Sequence, residues 1–229
     1  MLLANISHAI RPPITSIKGY VEGIRDGVAD TPEKRDHYLR TIYMKAEAIE
    51  QMAENLSIYS KLELGRVHYN RERTDIFAQT ASAAEEFSLD LQTAGIELIV
   101  DMPSNAEYVM ADTEKLRRVF ANIIINAIKY KKPTGSRLVI SGESTENGAV
   151  ITFSDNGIGV SEKELSHIFD GFYRGDPSRN SKIEGNGLGL SISRRIIEDH
   201  GGKIWARSVV GRGMDIIILL PIQRQRGED

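Results

Sequence analysis

Apolar residues recur every three or four positions through most of the first 65 residues, which is the spacing of one face of an α-helix. The apolar residues are Leu3, Ile6, Ile10, Ile14, Ile17, Val21 and Ile24, then Leu39, Ile42, Ala46, Ile49, Ala53 and Leu56. Between the two runs, Gly27 interrupts the pattern, and Thr31-Pro32 supplies a helix cap followed by a first-turn proline. The pattern predicts two antiparallel helices, and two copies of such a hairpin would pair into a four-helix bundle. A plain coiled-coil spacer explains the same periodicity.

The pattern changes after Gly65 and the polar run 70–73, where segments of both helical and strand periodicity begin. Helices are predicted over 76–91, 114–130 and 191–199. Strands are predicted over 96–100, 138–141, 149–154, 203–208 and 215–220. This mixture predicts a two-layer α/β sandwich with helices on one face of a sheet. We therefore expect a helical domain over residues 1–66 and an α/β domain over residues 70–225.

The composition of the 229 residues is that of a globular protein, with 41% hydrophobic and 27% charged residues and a net charge of −3. Both signs are interspersed, so there is no basic footprint for nucleic acid. The absence of cysteine excludes a disulfide scaffold and cysteine-ligated metals. No apolar run reaches the roughly 18–20 residues of a membrane-spanning helix. Because helical periodicity starts with the first residues, we expect a segment of a longer chain.

Two asparagines four residues apart share one face of the predicted helix 114–130. Asn122 and Asn126 can offer carboxamide oxygens to Mg²⁺, a hard ion that prefers oxygen ligands. Lys129 can reach a phosphate, and Tyr130 can lie against a base. A half-buried helix whose asparagines cap or face solvent explains the same residues without a ligand.

Two glycine-rich stretches follow. The first, 155–160, comes directly after a predicted strand. There the Asp155 carboxylate can accept a hydrogen bond from an exocyclic amine, and Gly157 and Gly159 allow close approach of a flat ligand. The second, 185–190, opens a predicted helix whose backbone N–H groups and dipole suit phosphate, although it has neither dinucleotide nor P-loop spacing. An ordinary turn and a flexible loop are the alternatives.

The order of these motifs, closed by the stretch 211–213, resembles the ATP-binding domain shared by sensor histidine kinases, gyrase-type ATPases and MutL-like proteins. The stretch 168–174, IFDGFYR, is similar to the aromatic box of the kinase branch, which makes 174–184 the lid over ATP. The resemblance spans residues 70–221 and departs from the family at Met214, where threonine is common. It implies Mg²⁺-bound ATP with adenine near Asp155. The residues that it implies for the cofactor are Asn122, Asn126, Lys129, Tyr130, Asp155, Gly157, Gly159, Arg174, Gly187, Leu188 and Gly189, with the metal on Asn122 and Asn126.

The resemblance also gives a role to the first predicted helix. Ser7-His8, followed by Arg11, Pro13 and Ile14, resembles the phospho-acceptor box of a histidine kinase, and the hairpin resembles its dimerisation domain. At about 100° per residue His8 falls opposite the apolar face, so we expect it to be exposed. The resemblance implies a homodimer in which ATP phosphorylates His8, with transfer to an aspartate of a response-regulator receiver domain. It also implies the cytoplasmic portion of a membrane-anchored bacterial sensor.

Two residues of this box differ from the family pattern. Ala9 stands where a glutamate or aspartate accepts a hydrogen bond from the second ring nitrogen of the histidine. Pro12 stands where threonine or asparagine positions a water for removing phosphate from the partner. Pro12 and Pro13 also leave two successive carbonyls without N–H partners, which predicts a kink just after His8. We therefore expect impaired autophosphorylation and poor phosphatase activity.

Two other functions are compatible with the sequence. A pseudokinase or scaffold would bind nucleotide and a response regulator without phosphotransfer, and the same departures at Ala9 and Pro12 motivate it. A free-standing ATPase of the gyrase group would need a glutamate base, typically preceding the asparagine on the same helix. Glu114 lies too far upstream of Asn122 for that role, and residues 117–120 offer no carboxylate.

Overall fold

The computed structural model describes residues 2–175 and 187–222, with side chains from residue 10 onward. The chain divides into two compact units, Met1–Leu64 and Gly65–Asp229. In the part of the chain that is described, no helix has the length and apolar character needed to cross a membrane.

The first unit is a helical hairpin, as predicted. Its helices are α1 (Leu2–Arg25) and α2 (Pro32–Glu63). Thr31 caps α2, because its hydroxyl accepts a hydrogen bond at 3.2 Å from the backbone N–H three residues on, and Pro32 occupies the first turn. Across the hairpin, the rings of Tyr20 and Tyr38 meet edge to face with 4.9 Å between their centroids.

The apolar face of the hairpin is only partly covered within this unit. Ile14, Val21 and Leu39 belong to the predicted apolar runs, yet they expose 50%, 49% and 53% of their surface. An amphipathic face left half in water is typical of helices that pack against a further surface.

Helix α1 passes through Pro12 and Pro13 as one helix. Neither proline has an N–H, so the carbonyls four residues before them receive no helical hydrogen bond. The kink predicted at this point stays a prediction. The side chain of His8 lies outside the described residues, so its predicted exposure also stays a prediction.

The second unit combines a two-stranded sheet and a five-stranded sheet with helices. The strands are β1 (Glu72–Asp75), β2 (Ile96–Asp101), β3 (Tyr108–Ala111), β4 (Ser136–Thr145), β5 (Gly148–Asp155), β6 (Lys203–Val209) and β7 (Gly213–Leu220). The helices are α3 (Ile76–Glu86), α4 (Ser88–Thr93), α5 (Thr113–Lys129), α6 (Glu162–Leu165) and α7 (Gly189–Asp199). The larger sheet has the order β2-β4-β5-β7-β6, and β1 pairs with β3. Only the β2–β4 pair among these is parallel.

The core lies between the larger sheet and the helices. Along β5, Ala149, Ile151 and Phe153 are buried while the residues between them are less so, which is the period of a strand covered on one face. The ring of Phe153 lies 5.7 Å from that of Phe120 on α5. The predicted two-layer α/β sandwich is therefore confirmed.

The structure differs from the local predictions at three places. The helix predicted over 76–91 is two helices, because the Phe87 N–H bonds to the carbonyl three residues back and tightens the last turn of α3. The polar run 70–73 contains the start of β1, and β3 was not predicted, because strands of four residues are too short to show alternation. Strand β4 extends beyond 138–141 because its hairpin with β5 pairs as far as Thr145.

Candidate functional site

The three predicted motif segments of the α/β unit meet around helix α5. The carbonyl of Tyr130, one residue past α5, accepts a hydrogen bond from the Ile158 N–H at 3.0 Å. Asn122, on α5, donates from Nδ2 to the Gly189 carbonyl at 3.1 Å and to the Ser193 hydroxyl at 3.2 Å. The loop after β5 and the first turn of α7 are therefore both held against α5.

The two asparagines fit a magnesium ion. Asn122 Nδ2 lies within hydrogen-bond distance of the Gly189 carbonyl and of the Ser193 hydroxyl on α7. These contacts occupy the nitrogen of the carboxamide, so its oxygen is the atom that can serve a cation. Asn126 lies one turn further along the same face and is also half-buried. The described residues contain no group of three or more His, Cys, Asp or Glu side chains that could hold a metal. Carboxamide oxygens completed by phosphates and water are the donors that Mg²⁺ accepts.

Asp155 ends β5 with a half-buried carboxylate. Its Oδ1 accepts a hydrogen bond from the Gly157 N–H at 2.8 Å. Burial raises the pKa of Asp155 above its ordinary value, while hydrogen bonds from the backbone of Gly157 and Met214 oppose that rise. A carboxylate oriented by its own loop can accept a hydrogen bond from an exocyclic amine of a base.

The glycines of this loop pack against the protein itself. A Cβ on Gly157 would overlap the Tyr130 carbonyl oxygen, and one on Gly159, whose φ is 62°, would overlap the Val209 carbonyl oxygen. The sequence suggested close approach of a ligand as the reason for glycine. The structure supplies a second reason, because a side chain at either position would collide with the backbone.

The glycine stretch before α7 is held at the aromatic box. The Gly187 carbonyl accepts a hydrogen bond from the Phe172 N–H at 2.9 Å, and both residues have positive φ, near 67°. Leu188 is buried, and Gly189 is the first residue of α7. A direct hydrogen bond therefore joins the aromatic box to the start of α7. Residues 176–186, which include Gly185, Asn186 and most of the predicted lid, lie outside the described residues.

An aromatic ring and two cations lie at the end of α5. Tyr130 exposes 38% of its surface. Burial raises the pKa of the Tyr130 phenol, and the positive charge of Arg174 opposes that rise. Lys129 and Arg174 are exposed. An exposed aromatic ring and exposed cations are groups that suit a base and phosphates.

Asn156 supports the site although the motifs treat it as a spacer. Its Oδ1 accepts from the Arg137 N–H at 2.8 Å, and its Nδ2 donates to the Gly135 carbonyl at 2.8 Å. The side chain thereby ties the loop that follows Asp155 to the start of β4. The signal in the sequence was the Asp-Asn-Gly turn, in which asparagine commonly bonds to backbone.

A polar cluster that the sequence did not indicate joins the other ends of α5 and α7. His200 Nε2 accepts a hydrogen bond from the Asp112 N–H at 3.0 Å, and its Nδ1 lies 2.7 Å from the Ile196 carbonyl, to which it donates. The Tyr69 hydroxyl donates to Asp199 Oδ2 at 2.8 Å. Burial lowers the pKa of His200, because a charged imidazolium is disfavoured away from water. The neutral tautomer seen here has its donor and its acceptor both satisfied.

Two family models match the chain. The His Kinase A (phospho-acceptor) domain matches residues 1–65. The histidine kinase-, DNA gyrase B- and HSP90-like ATPase matches residues 111–224.

Curated relatives match both units together. The sensor histidine kinase WalK of Bacillus subtilis (strain 168) is 31% identical over 229 residues, which are 99% of this chain and 37% of that protein. The sensor protein kinase WalK of Staphylococcus aureus (strain MRSA252) is 34% identical over 226 residues, which are 96% of this chain and 36% of that protein. The chain thus spans just over a third of the length of these relatives.

Solved structures share the fold. The histidine kinase AdeS of Acinetobacter baumannii has a TM-score of 0.75 and 25% identity, covering 93% of this chain and 98% of that one. The histidine kinase ThkA, solved in complex with the response regulator protein TrrA, has a TM-score of 0.76 and 22% identity, covering 98% of this chain and 62% of that one.

Proposed function

This chain belongs to the histidine kinases of two-component signalling, and we propose that ATP phosphorylates it on His8 and that an aspartate of a receiver domain then accepts the phosphoryl group. One observation carries the proposal. The asparagine helix, the loop after β5 and the first turn of α7 meet at hydrogen-bond distance, through Tyr130–Ile158 and Asn122–Gly189. The phospho-acceptor box precedes them on the same chain.

The nucleotide is placed by groups of known chemistry. Asp155 accepts a hydrogen bond from the exocyclic amine of adenine, and the ring of Tyr130 lies against the base. Lys129, Arg174 and the Gly187–Gly189 loop at the start of α7 face the phosphates. When bound on Asn122 and Asn126, Mg²⁺ neutralises charge on the phosphate oxygens.

Phosphoryl transfer begins at a neutral imidazole. The lone pair of one His8 ring nitrogen forms a bond to the γ-phosphorus as the bond to the bridging oxygen breaks, and ADP leaves with that electron pair. The other ring nitrogen then loses its proton to solvent. In the second step, a carboxylate oxygen of the receiver aspartate bonds to the phosphorus as the P–N bond to His8 breaks, and the departing imidazole takes up a proton from solvent to become neutral again.

We infer that the first step is slow in this chain. A carboxylate at position 9 would orient the imidazole and accept the proton of its second nitrogen, and Ala9 can do neither. Pro12 has no side-chain donor or acceptor to position a water, so removal of phosphate from the partner is impaired as well.

The exposed apolar face of the hairpin supports a homodimer. A structural neighbour solved with a response regulator supports a receiver-domain partner. Ile14, Val21 and Leu39 leave an apolar face about half exposed, and a second copy would cover it with a self-complementary face. ThkA, whose fold this chain shares, was solved with a response regulator. A receiver domain is the corresponding partner proposed here.

The test is incubation of the purified chain with Mg²⁺ and γ-labelled ATP, scored for acid-labile, base-stable label. Label that disappears in His8→Ala supports the proposal. Ala9→Glu should raise the rate roughly tenfold or more, since general acid–base catalysis typically contributes at least that much. If neither the wild-type chain nor Ala9→Glu takes up label while both still bind nucleotide, the chain is instead a nucleotide-binding scaffold.

A further inference from the structure

A serine side chain is buried between α5 and α7 and is used as both donor and acceptor. Ser193 has 0% of its surface exposed. Its hydroxyl donates to the Gly189 carbonyl at 2.9 Å and accepts from Asn122 Nδ2 at 3.2 Å. Because Asn122 Nδ2 also donates to Gly189 at 3.1 Å, the three groups form a closed polar ring.

This ring distinguishes between the two orientations of the Asn122 carboxamide. A rotation by about 180° would exchange its oxygen and its nitrogen. The Gly189 carbonyl can only accept, and the proton of Ser193 is already given to that carbonyl. Reversal would therefore bring Asn122 Oδ1 against two oxygens, and Ser193 would have to give up its bond to Gly189 to relieve the contact. The observed network keeps the nitrogen on the Gly189 carbonyl and the Ser193 hydroxyl, so the oxygen bonds to neither of them.

We propose that Ser193 is a positioning residue that sets the oxygen of Asn122 for Mg²⁺. This rests on the proposed function, in which Asn122 contributes an oxygen to the metal. Without the hydroxyl, only Gly189 selects the orientation, and a reversed carboxamide would present N–H groups to a cation. The affinity for nucleotide with Mg²⁺ should then fall, whereas the affinity without Mg²⁺ should not.

Ser191 provides a matched control on the same helix. It exposes only 9% of its surface, and its hydroxyl donates to the Leu188 carbonyl at 3.0 Å, not to Asn122. Ser191→Ala therefore removes a similar buried intrahelical bond and leaves the Asn122 network intact. Ser193→Cys keeps the size of the side chain but accepts hydrogen bonds weakly, so it should give a smaller loss even if Ser193→Ala fails to fold.

The experiment is calorimetric binding of a non-hydrolysable ATP analogue, in Mg²⁺ and in EDTA, to the whole chain and its variants. In Mg²⁺, Ser193→Ala should bind roughly fivefold to tenfold more weakly than wild type, about the effect of one lost hydrogen bond. The affinity of Ser193→Cys should lie between those of Ser193→Ala and the wild type, and the affinity of Ser191→Ala should equal that of the wild type. In EDTA the dissociation constants of the wild type and the three variants should agree within about twofold. The reason is that the hydrogen bonds among Asn122, Gly189 and Ser193 affect only the part of the affinity that depends on Mg²⁺.

The outcomes separate the two claims. If the wild-type chain binds no nucleotide in Mg²⁺, the proposed function itself is overturned. If it binds but Ser193→Ala equals Ser191→Ala in Mg²⁺, the role of Ser193 is overturned and the function stands. Equal losses in Mg²⁺ and in EDTA would reduce Ser193 to a structural contact and overturn the inference as well.

Discussion

In the α/β unit, side chains such as Ile124 and Phe153 are withdrawn from water by their own sheet and helices, whereas in the hairpin Ile14 and Leu39 keep about half of their surface in water. The first arrangement makes folding depend on contacts inside the unit. The second leaves apolar surface whose burial depends on another surface. Similar substitutions should therefore change intrinsic stability in one unit and association in the other.

The largest effect is expected at Gly213 in β7, because the interior of the α/β unit leaves no room there. Its φ is 115°, and a Cβ would overlap the Asp155 carbonyl oxygen. Gly213→Ala should lower the free energy of unfolding of the α/β unit by about 3 kcal/mol or more, since steric overlap adds to backbone strain. Chemical denaturation of the chain, followed in the α/β unit, measures it.

Gly211, two residues earlier, is the control. Its φ is 77°, but nothing lies within 4 Å of a Cβ placed there. Gly211→Ala should cost only the backbone strain, about 1–2 kcal/mol. Equal losses at the two positions would mean that the contact with Asp155 is not what requires glycine.

The next effect concerns association of the hairpin. Val21→Asp places a charge on the half-exposed apolar face. If a second copy covers that face, the dissociation constant of the dimer should rise roughly 30-fold, about 2 kcal/mol, because the carboxylate must lose water. Sedimentation equilibrium measures the change, and unfolding of the α/β unit should be unaffected.

Lys18 lies on the same helix with a largely exposed side chain, so Lys18→Ala should leave the dimer nearly unchanged. If Val21→Asp associates as tightly as the wild type, the apolar face of the hairpin is not part of a dimer interface. The difference drawn here between intrinsic stability in one unit and association in the other would then be weaker.

A smaller effect should appear in the α/β unit as pH falls. The pKa of His200 is lowered by burial in the folded state, so the unfolded chain binds the proton more readily. Its contribution to stability is complete above the unfolded pKa, about 6.5, and is lost as pH falls through that value towards the lower folded pKa. Protonation turns Nε2 into a donor facing the Asp112 N–H, which should cost about 1–2 kcal/mol.

Denaturation midpoints between pH 8 and pH 5 test this dependence. His200→Gln, which keeps a hydrogen-bond acceptor but does not titrate, should flatten the slope in that range. His167→Gln alters an exposed histidine paired with Asp170 and should leave most of the slope. A slope that survives His200→Gln would assign the pH dependence to other groups.

The smallest effect is expected at the start of α2. Thr31→Ala removes the side-chain cap and should destabilise the hairpin by about 0.5–1 kcal/mol. Thermal unfolding of the helical signal measures it. Thr15→Ala, at an exposed position inside α1, removes no cap and should be neutral or slightly stabilising, because alanine is the better helix former. A loss of the same size at Thr15 would argue against the cap.

Local patterns predicted the long elements of the fold. Helix α5 was expected over 114–130 and spans Thr113–Lys129, because its apolar spacing is contained in its own sequence. Strands β1 and β3 were not predicted, because each is stabilised by pairing with the other, with Glu72 opposite Ala111. The four residues of either strand contain no signal of a pairing partner that lies nearly forty positions away in the chain.

Residue types of the candidate site were predictable, but the use of their atoms was not. Asn122 was expected to offer its oxygen, and its nitrogen proves to be bonded to Ser193, 71 residues later in the chain. Asn156 was given no role from the sequence, and its side chain ties its loop to the start of β4. Such contacts depend on tertiary packing, which periodicity and spacing do not contain.

The position of β7 in the sheet has a consequence for the order in which the protein matures during synthesis. β7 lies between β5 and β6 and pairs Met214 with Asp155, so β5 stays at an open edge until the strand that begins at Gly213 has been made. The two helices of the hairpin need only each other and can form as soon as they leave the ribosome, because their contacts are local. We expect a nascent chain that ends before Gly213 to carry His8, the proposed phospho-acceptor, and yet to bind no ATP.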